Sequence, residues 1–172
     1  MISEPFPLEI ELTLAEVWFP WTPGVGDNVA AIFQDTPDPP DGRVIVFVIV
    51  DDVYADPCDI SAGLVDPGSE VADLAAALVG SPNTESTEPV VVTISGYTGV
   101  YLDYTNNGGC GTLQRWTSAF GNREALAMER DQVWILDVDG TRLVIDAASF
   151  EGTSEEDVAE MHTIVESLTI RP

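Results

Sequence analysis

The sequence predicts an α+β fold: a mainly antiparallel sheet of about six to nine strands with two helices packed on it. Three observations carry this expectation. Alternating or β-branched runs of strand length recur along the chain. Two segments, beginning near Ser69 and near Thr153, space their apolar residues for a helix face. Ser95-Gly96 and Asp139-Gly140 sit between such runs as tight hairpin turns. The length of 172 residues suits a single globular domain over residues 1–172. A core of that size buries roughly 70% of the unfolded surface.

Leu8-Glu-Ile10-Glu-Leu12-Thr-Leu14 alternates strictly, the pattern of a half-solvated strand. An aromatic loop, Trp18-Phe-Pro-Trp21-Thr-Pro-Gly24, leads to a short strand from Val29 to Phe33. Asp35-Thr-Pro-Asp-Pro-Pro-Asp-Gly42 then interrupts regular structure. Arg43-Val-Ile-Val-Phe-Val-Ile-Val50 is apolar on both faces, so it is expected as a central strand covered on each side.

Beyond a loop through Asp56-Pro-Cys58, Ser69 is the expected N-cap of the first helix. Val71, Leu74, Ala75 and Leu78 form its stripe, and Gly80 with Pro82 stops it. A polar linker, Ser81 to Pro89, precedes a hairpin of Val90–Ile94 with Tyr97–Tyr104. Asn106 to Gly111 is a loop and Leu113 to Thr117 a strand. Residues 118 to 131 lack a period and are expected as loop with a short helix at most. Gln132–Val138 and Thr141–Ala147 are strands. The second helix begins at a capping box, Thr153-Ser-Glu-Glu156, with acidic residues in its first turn. Val158, Met161, Ile164, Val165 and Leu168 form its buried stripe, and Thr169-Ile-Arg171 is expected as a last strand.

Thirty acidic residues face only six basic ones, giving a net charge of −24. All six are Arg (Arg43, Arg115, Arg123, Arg130, Arg142 and Arg171), with no Lys. A GC-rich genome accounts for the choice of Arg, and a salt-adapted surface is the competing account. The scattered placement of the acids favours the first. Six dispersed Arg in a strongly negative field exclude binding to a phosphate backbone, so no nucleic acid is expected as partner. Anionic membrane surfaces are disfavoured on the same ground. The longest apolar run, Val44 to Val50, is strand-sized and far short of the ~20 residues of a membrane span. This segment is therefore not expected to insert into a membrane. Met-Ile-Ser-Glu-Pro5 lacks the basic and apolar regions of a signal peptide. The chain is expected to be a domain of a longer exported or anchored protein.

Cys58 and Cys110 both stand in turn-like loops, Asp-Pro-Cys-Asp and Gly-Gly-Cys-Gly. A disulfide between them is favoured over two unrelated thiols, because structural free cysteines are usually buried within elements. Such a bond would close a loop of about 53 residues and stabilise by about 4 kcal/mol in the chain-entropy model. Two Cys and one His with no Cys-x₂-Cys spacing cannot build a structural zinc site without carboxylates.

Trp134-Ile-Leu-Asp-Val-Asp-Gly-Thr141 admits two incompatible accounts. Asp137-Val-Asp139-Gly-Thr141 resembles the nucleophile signature of Mg²⁺-dependent haloacid-dehalogenase-type phosphatases. That resemblance implies Asp137 as nucleophile and Asp139 as general acid, followed by a hydroxyl-bearing strand end, a Lys or Arg and an acidic pair across a parallel sheet. Only residues 142–172 follow, and they hold one hairpin arm and one helix. A two-residue Asp139-Gly140 turn instead puts Asp137 opposite Arg142, Leu136 opposite Leu143 and Trp134 opposite Ile145. Trp134, Leu136, Val138, Leu143 and Ile145 then make one apolar face, and Asp137 gains Arg142 as a cross-strand partner. The hairpin is preferred, and no catalytic residue, metal or cofactor is expected. His162, the single histidine, lies on the flank of the second helix's stripe and reads as a boundary residue. Asp51-Asp52 reads as the opening of a polar loop rather than a cation site. Trp18, Phe19 and Trp21 are weak candidates for a ligand patch, with capping of a core edge as the plainer role.

Several segments resemble uncharacterised cell-envelope domains of actinobacteria and other high-GC bacteria. They are Tyr54-Ala-Asp-Pro-Cys58, Val71 to Leu78, Thr93-Ile-Ser-Gly-Tyr-Thr-Gly99, Val133 to Ala147 and Phe150-Glu-Gly-Thr-Ser154 with the helix after it. The resemblance spans most of residues 43–171. It implies paired cysteines and a preceding anchor, and brings no assigned activity. The implied shape is similar to that of PsbP-like lipoproteins, which act by binding and assembly. The expected function is thus a non-catalytic extracytoplasmic module for ligand binding, sensing or assembly. Its partner would be an unidentified small molecule or protein, and the chain a monomer or homodimer. The alternatives are the phosphatase at Asp137 and Asp139, and an acidic salt-adapted cytoplasmic protein.

Overall fold

A computed structural model describes residues 6–13, 18–21, 30–34, 42–118 and 121–172. The expectations for Leu14, for Thr22 to Gly24, for Val29 and for Asp35 to Asp41 fall outside these described residues. In chain order, β1 (Glu9–Glu11), β2 (Phe19–Trp21), β3 (Ala30–Gln34), β4 (Arg43–Val48) and β5 (Val50–Tyr54) precede a 3-10 turn at Ile60–Ala62 and β6 (Leu64–Val65). Helix α1 (Val71–Val79) leads to β7 (Thr84–Ser86), β8 (Val90–Ile94), β9 (Tyr97–Asn106), β10 (Leu113–Ser118) and β11 (Gly121–Ala125). Last come β12 (Arg130–Val138), β13 (Thr141–Ser149), α2 (Glu155–Glu166) and β14 (Thr169–Arg171).

Among the described residues the strands form three antiparallel sheets, confirming the α+β class. The largest runs β2-β3-β4-β13-β12-β9, with β7 and β8 side by side along the outer edge of β9. A four-stranded sheet has the order β11-β10-β5-β6, and β1 pairs with β14. Fourteen strands are present among the described residues, more than the sequence predicts. Strands β6 and β7, at two and three residues, are too short to show a period. Strands β2 and β11 stand where loop was expected, and the run from Arg43 splits into β4 and β5.

The β12–β13 hairpin sits at the centre of the large sheet. Asp139 (φ 50°) and Gly140 (φ 86°) take the positive-φ conformation of a type I′ turn. The expected register holds throughout, with Val138 opposite Thr141, Asp137 opposite Arg142 and Trp134 opposite Ile145. Trp134, Leu136, Val138, Leu143 and Ile145 pack beneath the α2 stripe of Val158, Met161, Ile164 and Val165, with Leu168, expected in that stripe, lying just past the helix end. On the opposite face Val133, Ile135 and Val144 pack against Leu74 and Leu78 of α1 and Trp116 of β10. Both faces are covered, and fully burying each such side chain is worth about 1.5–3 kcal/mol. Close strand approach requires Gly99 in β9, where a Cβ would collide with the Ile135 carbonyl.

Four local expectations are corrected. The run from Arg43 to Val50 is not one strand: β4 pairs with β13 as far as Val48, and beyond Ile49 the chain crosses to the second sheet as β5. Both parts are β-branched, so only the partner strand distinguishes them. The described part of residues 118–131 is not loop with a short helix. It carries β11 and the start of β12, and β11 (Gly-Asn-Arg-Glu-Ala) has no apolar period because Arg123 reaches a buried acidic cluster. The N-cap of α1 is Glu70, not Ser69, in a reciprocal box with Asp73. The N-cap of α2 is Ser154, one residue later than expected, accepting from the Asp157 N–H at 3.2 Å and donating its hydroxyl to the Asp157 carboxylate, with no reciprocal box. Thr153 instead accepts from the Phe150 N–H.

Candidate functional site

The two cysteine loops meet as expected: Cys58 and Cys110 form a disulfide with a Cα–Cα distance of 5.7 Å. Each loop is shaped by its own short polar residues. Asp56 accepts from the Cys58 N–H at 2.9 Å, and the Asn106 amide oxygen accepts from the Gly108 N–H at 2.9 Å. The Gln114 N–H donates to the Pro57 carbonyl at 2.9 Å, holding the start of β10 beside the first loop. Buried Asn106 also donates to the carbonyls of Gly111 and Leu126, tying the cysteine loop to the end of β11. Cys110 is exposed and Cys58 partly so.

Trp18 is buried in the core beside α2, where its indole N–H donates to Glu160 at 3.3 Å. The Arg43 guanidinium lies over its ring at 5.5 Å and also pairs with Asp157 at 2.8 Å and Glu160 at 3.0 Å. Phe19 and Trp21 lie in β2, opposite Phe33 and Ala31 of β3; their side chains are outside the described set.

Asp137 and Asp139 are both exposed. The Asp137 carboxylate folds onto its own turn, accepting from the Gly140 N–H at 2.8 Å. The expected ion pair with Arg142 does not form. Arg142 turns towards the segment before α1 and donates to the carbonyls of Gly68, Glu70 and Val50. Three backbone carbonyls hold it there, while the turn N–H satisfies Asp137. Asp51 is exposed, and the Asp52 N–H donates to Thr117 Oγ1 at 3.3 Å. Among the described residues no three His, Cys, Asp or Glu side chains converge as metal ligands.

Two constellations emerge that sequence reasoning missed. The first is a partly exposed line of polar groups between β9, β12 and α2. The Tyr101 hydroxyl donates to Asp103 at 2.8 Å and accepts from the Gln132 amide at 3.3 Å. The same Gln132 nitrogen lies 3.2 Å from His162 Nδ1, and His162 Nε2 is 3.5 Å from Glu166. With the amide so oriented, Nδ1 accepts and the proton sits on Nε2, facing Glu166. Trp134 backs the line, its ring 5.0 Å from Tyr101 and 5.1 Å from His162. Burial, then the bond to Asp103, pushes the Tyr101 phenol up to about 12. At neutral pH it is therefore a fixed donor and not a base.

The second constellation is a buried ion cluster between the two larger sheets. Arg115 of β10 pairs with Asp131 of β12, both side chains fully enclosed. Arg123 of β11 reaches Asp146 of β13 at 2.7 Å, Asp131 at 3.0 Å, and Glu129. The Tyr104 ring lies against the Arg115 guanidinium at 4.6 Å. Burial pushes the Asp146 carboxyl up to about 6, against the pull of Arg123. Burial raises Asp131 too, although Arg115 opposes it. With only Arg123 partly exposed, this cluster serves to bolt β10 and β11 onto β12 and β13. One sequence signal could have exposed it: in the hairpin register Asp146 faces the same side as buried Val144, so it needs an internal cation.

No protein-family model matches the chain, and no curated protein matches its sequence. Among solved structures it is similar to LpqN, described as involved in cell envelope biogenesis of Mycobacterium tuberculosis. The match has a TM-score of 0.58 at 15% identity and covers 98% of this chain and 87% of that one. At that identity the likeness shows a shared fold. The chain also aligns with the cyanobacterial PsbP protein (CyanoP) of Synechocystis, with a TM-score of 0.43 at 11% identity, over 98% of this chain and 95% of that one. At that TM-score the second likeness carries no argument about shape.

Proposed function

We propose that the chain is a non-catalytic extracytoplasmic module of a bacterial cell envelope, working by binding or assembly. The observation that carries this is the Cys58–Cys110 disulfide, with Cys110 exposed to solvent. Cytosolic glutathione and thioredoxin keep such accessible thiols reduced, so a persistent exposed disulfide belongs to an oxidising compartment. The fold shared with LpqN, whose described role lies in envelope biogenesis, supports the same compartment. At the phosphatase-like run the side chains serve the turn and the packing. Asp137 is spent on its own turn, and Arg142 on backbone carbonyls.

Expressing the full gene in its own host, then alkylating free thiols before fractionation, tests the compartment. The expected outcome is unlabelled protein in the envelope or secreted fraction; labelled Cys58 and Cys110 in the cytoplasm would overturn it. Activity is checked separately with a generic phosphate ester and Mg²⁺. Turnover that disappears in Asp137→Asn would replace the binding role with catalysis.

A further inference from the structure

Strand β8 borders the large sheet, with β9 as its pairing partner among the described residues. Its hairpin turns at Ser95 (φ 54°) and Gly96 (φ 87°), with Ile94 opposite Tyr97. A two-residue turn makes Ile94–Tyr97 a hydrogen-bonded pair, and the alternation continues to Val92 and Val90. The N–H and C=O groups of Val91 and Thr93 therefore point away from the sheet. Val91 is 79% exposed and Val90 52% exposed. Natural edge strands are normally guarded by charge, Pro within the strand, or a bulge. Here no residue from Pro89 to Leu102 carries a charge, in a chain of net charge −24.

We propose that β8 is a homodimer interface, pairing antiparallel with β8 of a second copy to continue the sheet across a two-fold axis. Centred on Val92, this register sets Val91 against the partner's Thr93 and Thr93 against the partner's Val91. Both pairs have outward-pointing N–H and C=O groups, so each strand satisfies the other without a shift. The half-exposed Val90 then lies beside the partner's Ile94. Glu88 falls opposite the partner's Gly96, so no carboxylate meets another across the pairing. A second copy fits this edge on charge: the neutral hairpin is where two strongly acidic chains can approach with no like charges directly opposed. The exposed edge at β6 is a poorer site, being a two-residue strand.

Sedimentation of the full chain over the micromolar range, at low and at high NaCl, tests the pairing. The expected species has twice the 18.5 kDa chain mass. It tightens with salt, because screening removes the repulsion between the copies. Val91→Asp, at an exposed position, weakens the dimer at least about tenfold with an unchanged circular dichroism spectrum. Val65→Asp, which places the same charge on the β6 edge, leaves it intact. Val92→Cys forms a disulfide across the two-fold axis, while the native pair stays bonded. A monomer under all these conditions overturns the proposal. So does a dimer that is insensitive to Val91→Asp, that weakens with salt, or that fails to cross-link through position 92. A monomer that instead captures an alternating Lys/Val peptide in a Val91-dependent way also overturns it, in favour of a basic extended partner.

Discussion

On the α2 side of β12 and β13, Trp134, Leu136 and Ile145 meet Met161 and Val165 in an apolar core, with the Gln132–His162 contact at its margin. On the other side of the same two strands, Val133 and Val144 share their face with Asp131 and Asp146, whose charges meet Arg115 and Arg123. Both sides exclude water, yet they tolerate error differently. An apolar contact accepts any side chain of about the right volume, whereas a buried ion demands its partner. The α2 side therefore supplies non-directional stability. The other side sets which strands may dock there, since β10 and β11 are joined to the hairpin by named charges.

The largest effect should come from unbalancing the ions. Arg115→Met leaves fully buried Asp131 with Arg123 alone as its cation and should cost up to about 3–5 kcal/mol in urea unfolding. Adding Asp131→Leu should recover most of that loss; failure of the double variant to recover would mean that packing around Arg115, and not charge, holds the sheets. On the apolar side Met161→Ala should cost about 3 kcal/mol through lost burial and the cavity left behind. No charge substitution nearby should rescue it.

A smaller effect depends on pH. Asp146 titrates at about 6 when folded, above its unfolded value near 4. Its stabilising contribution is thus fully present below about 4 and lost as pH rises through about 6. Thermal melts should show the midpoint rising by a few degrees on acidifying from neutrality towards pH 5. Asp146→Asn should flatten that slope, and an unchanged slope would assign the effect to the chain's general negative charge. The smallest effect belongs to the exposed ion pairs of Arg171 with Glu9 and Glu11, at 3.5 and 2.8 Å. Arg171→Ala should lower stability least of all the substitutions, and not at all at high salt, setting the scale for ions that water can reach.

The apolar side was legible in advance and the ionic side was not. The spacing of Val158, Met161, Ile164 and Val165 and the Asp139-Gly140 turn are local signals, so α2 and the register of β12 with β13 follow from them. Arg115, Arg123, Asp131 and Asp146 come from four strands, and their meeting depends on how one sheet lies on another. For the same reason Asp137 and Arg142 oppose each other in register yet do not pair: backbone carbonyls of a distant segment capture Arg142. The aromatic line through Tyr101, Gln132 and His162 was equally hidden, since it joins a strand edge to a helix flank.

By itself the sequence determined the α+β class, both helices, the two tight hairpins and the loop setting of the two cysteines. Each of these rests on contacts within a few residues, where periodicity and turn chemistry act directly. Only the tertiary structure decided that β5 leaves the large sheet and that β11 exists. It also decided that Arg43 and Arg115 are buried and that β8 becomes an edge. Those outcomes depend on which surface each segment meets. Strand composition specifies that a surface must be covered, and the partner that covers it is chosen by the packing of the whole chain.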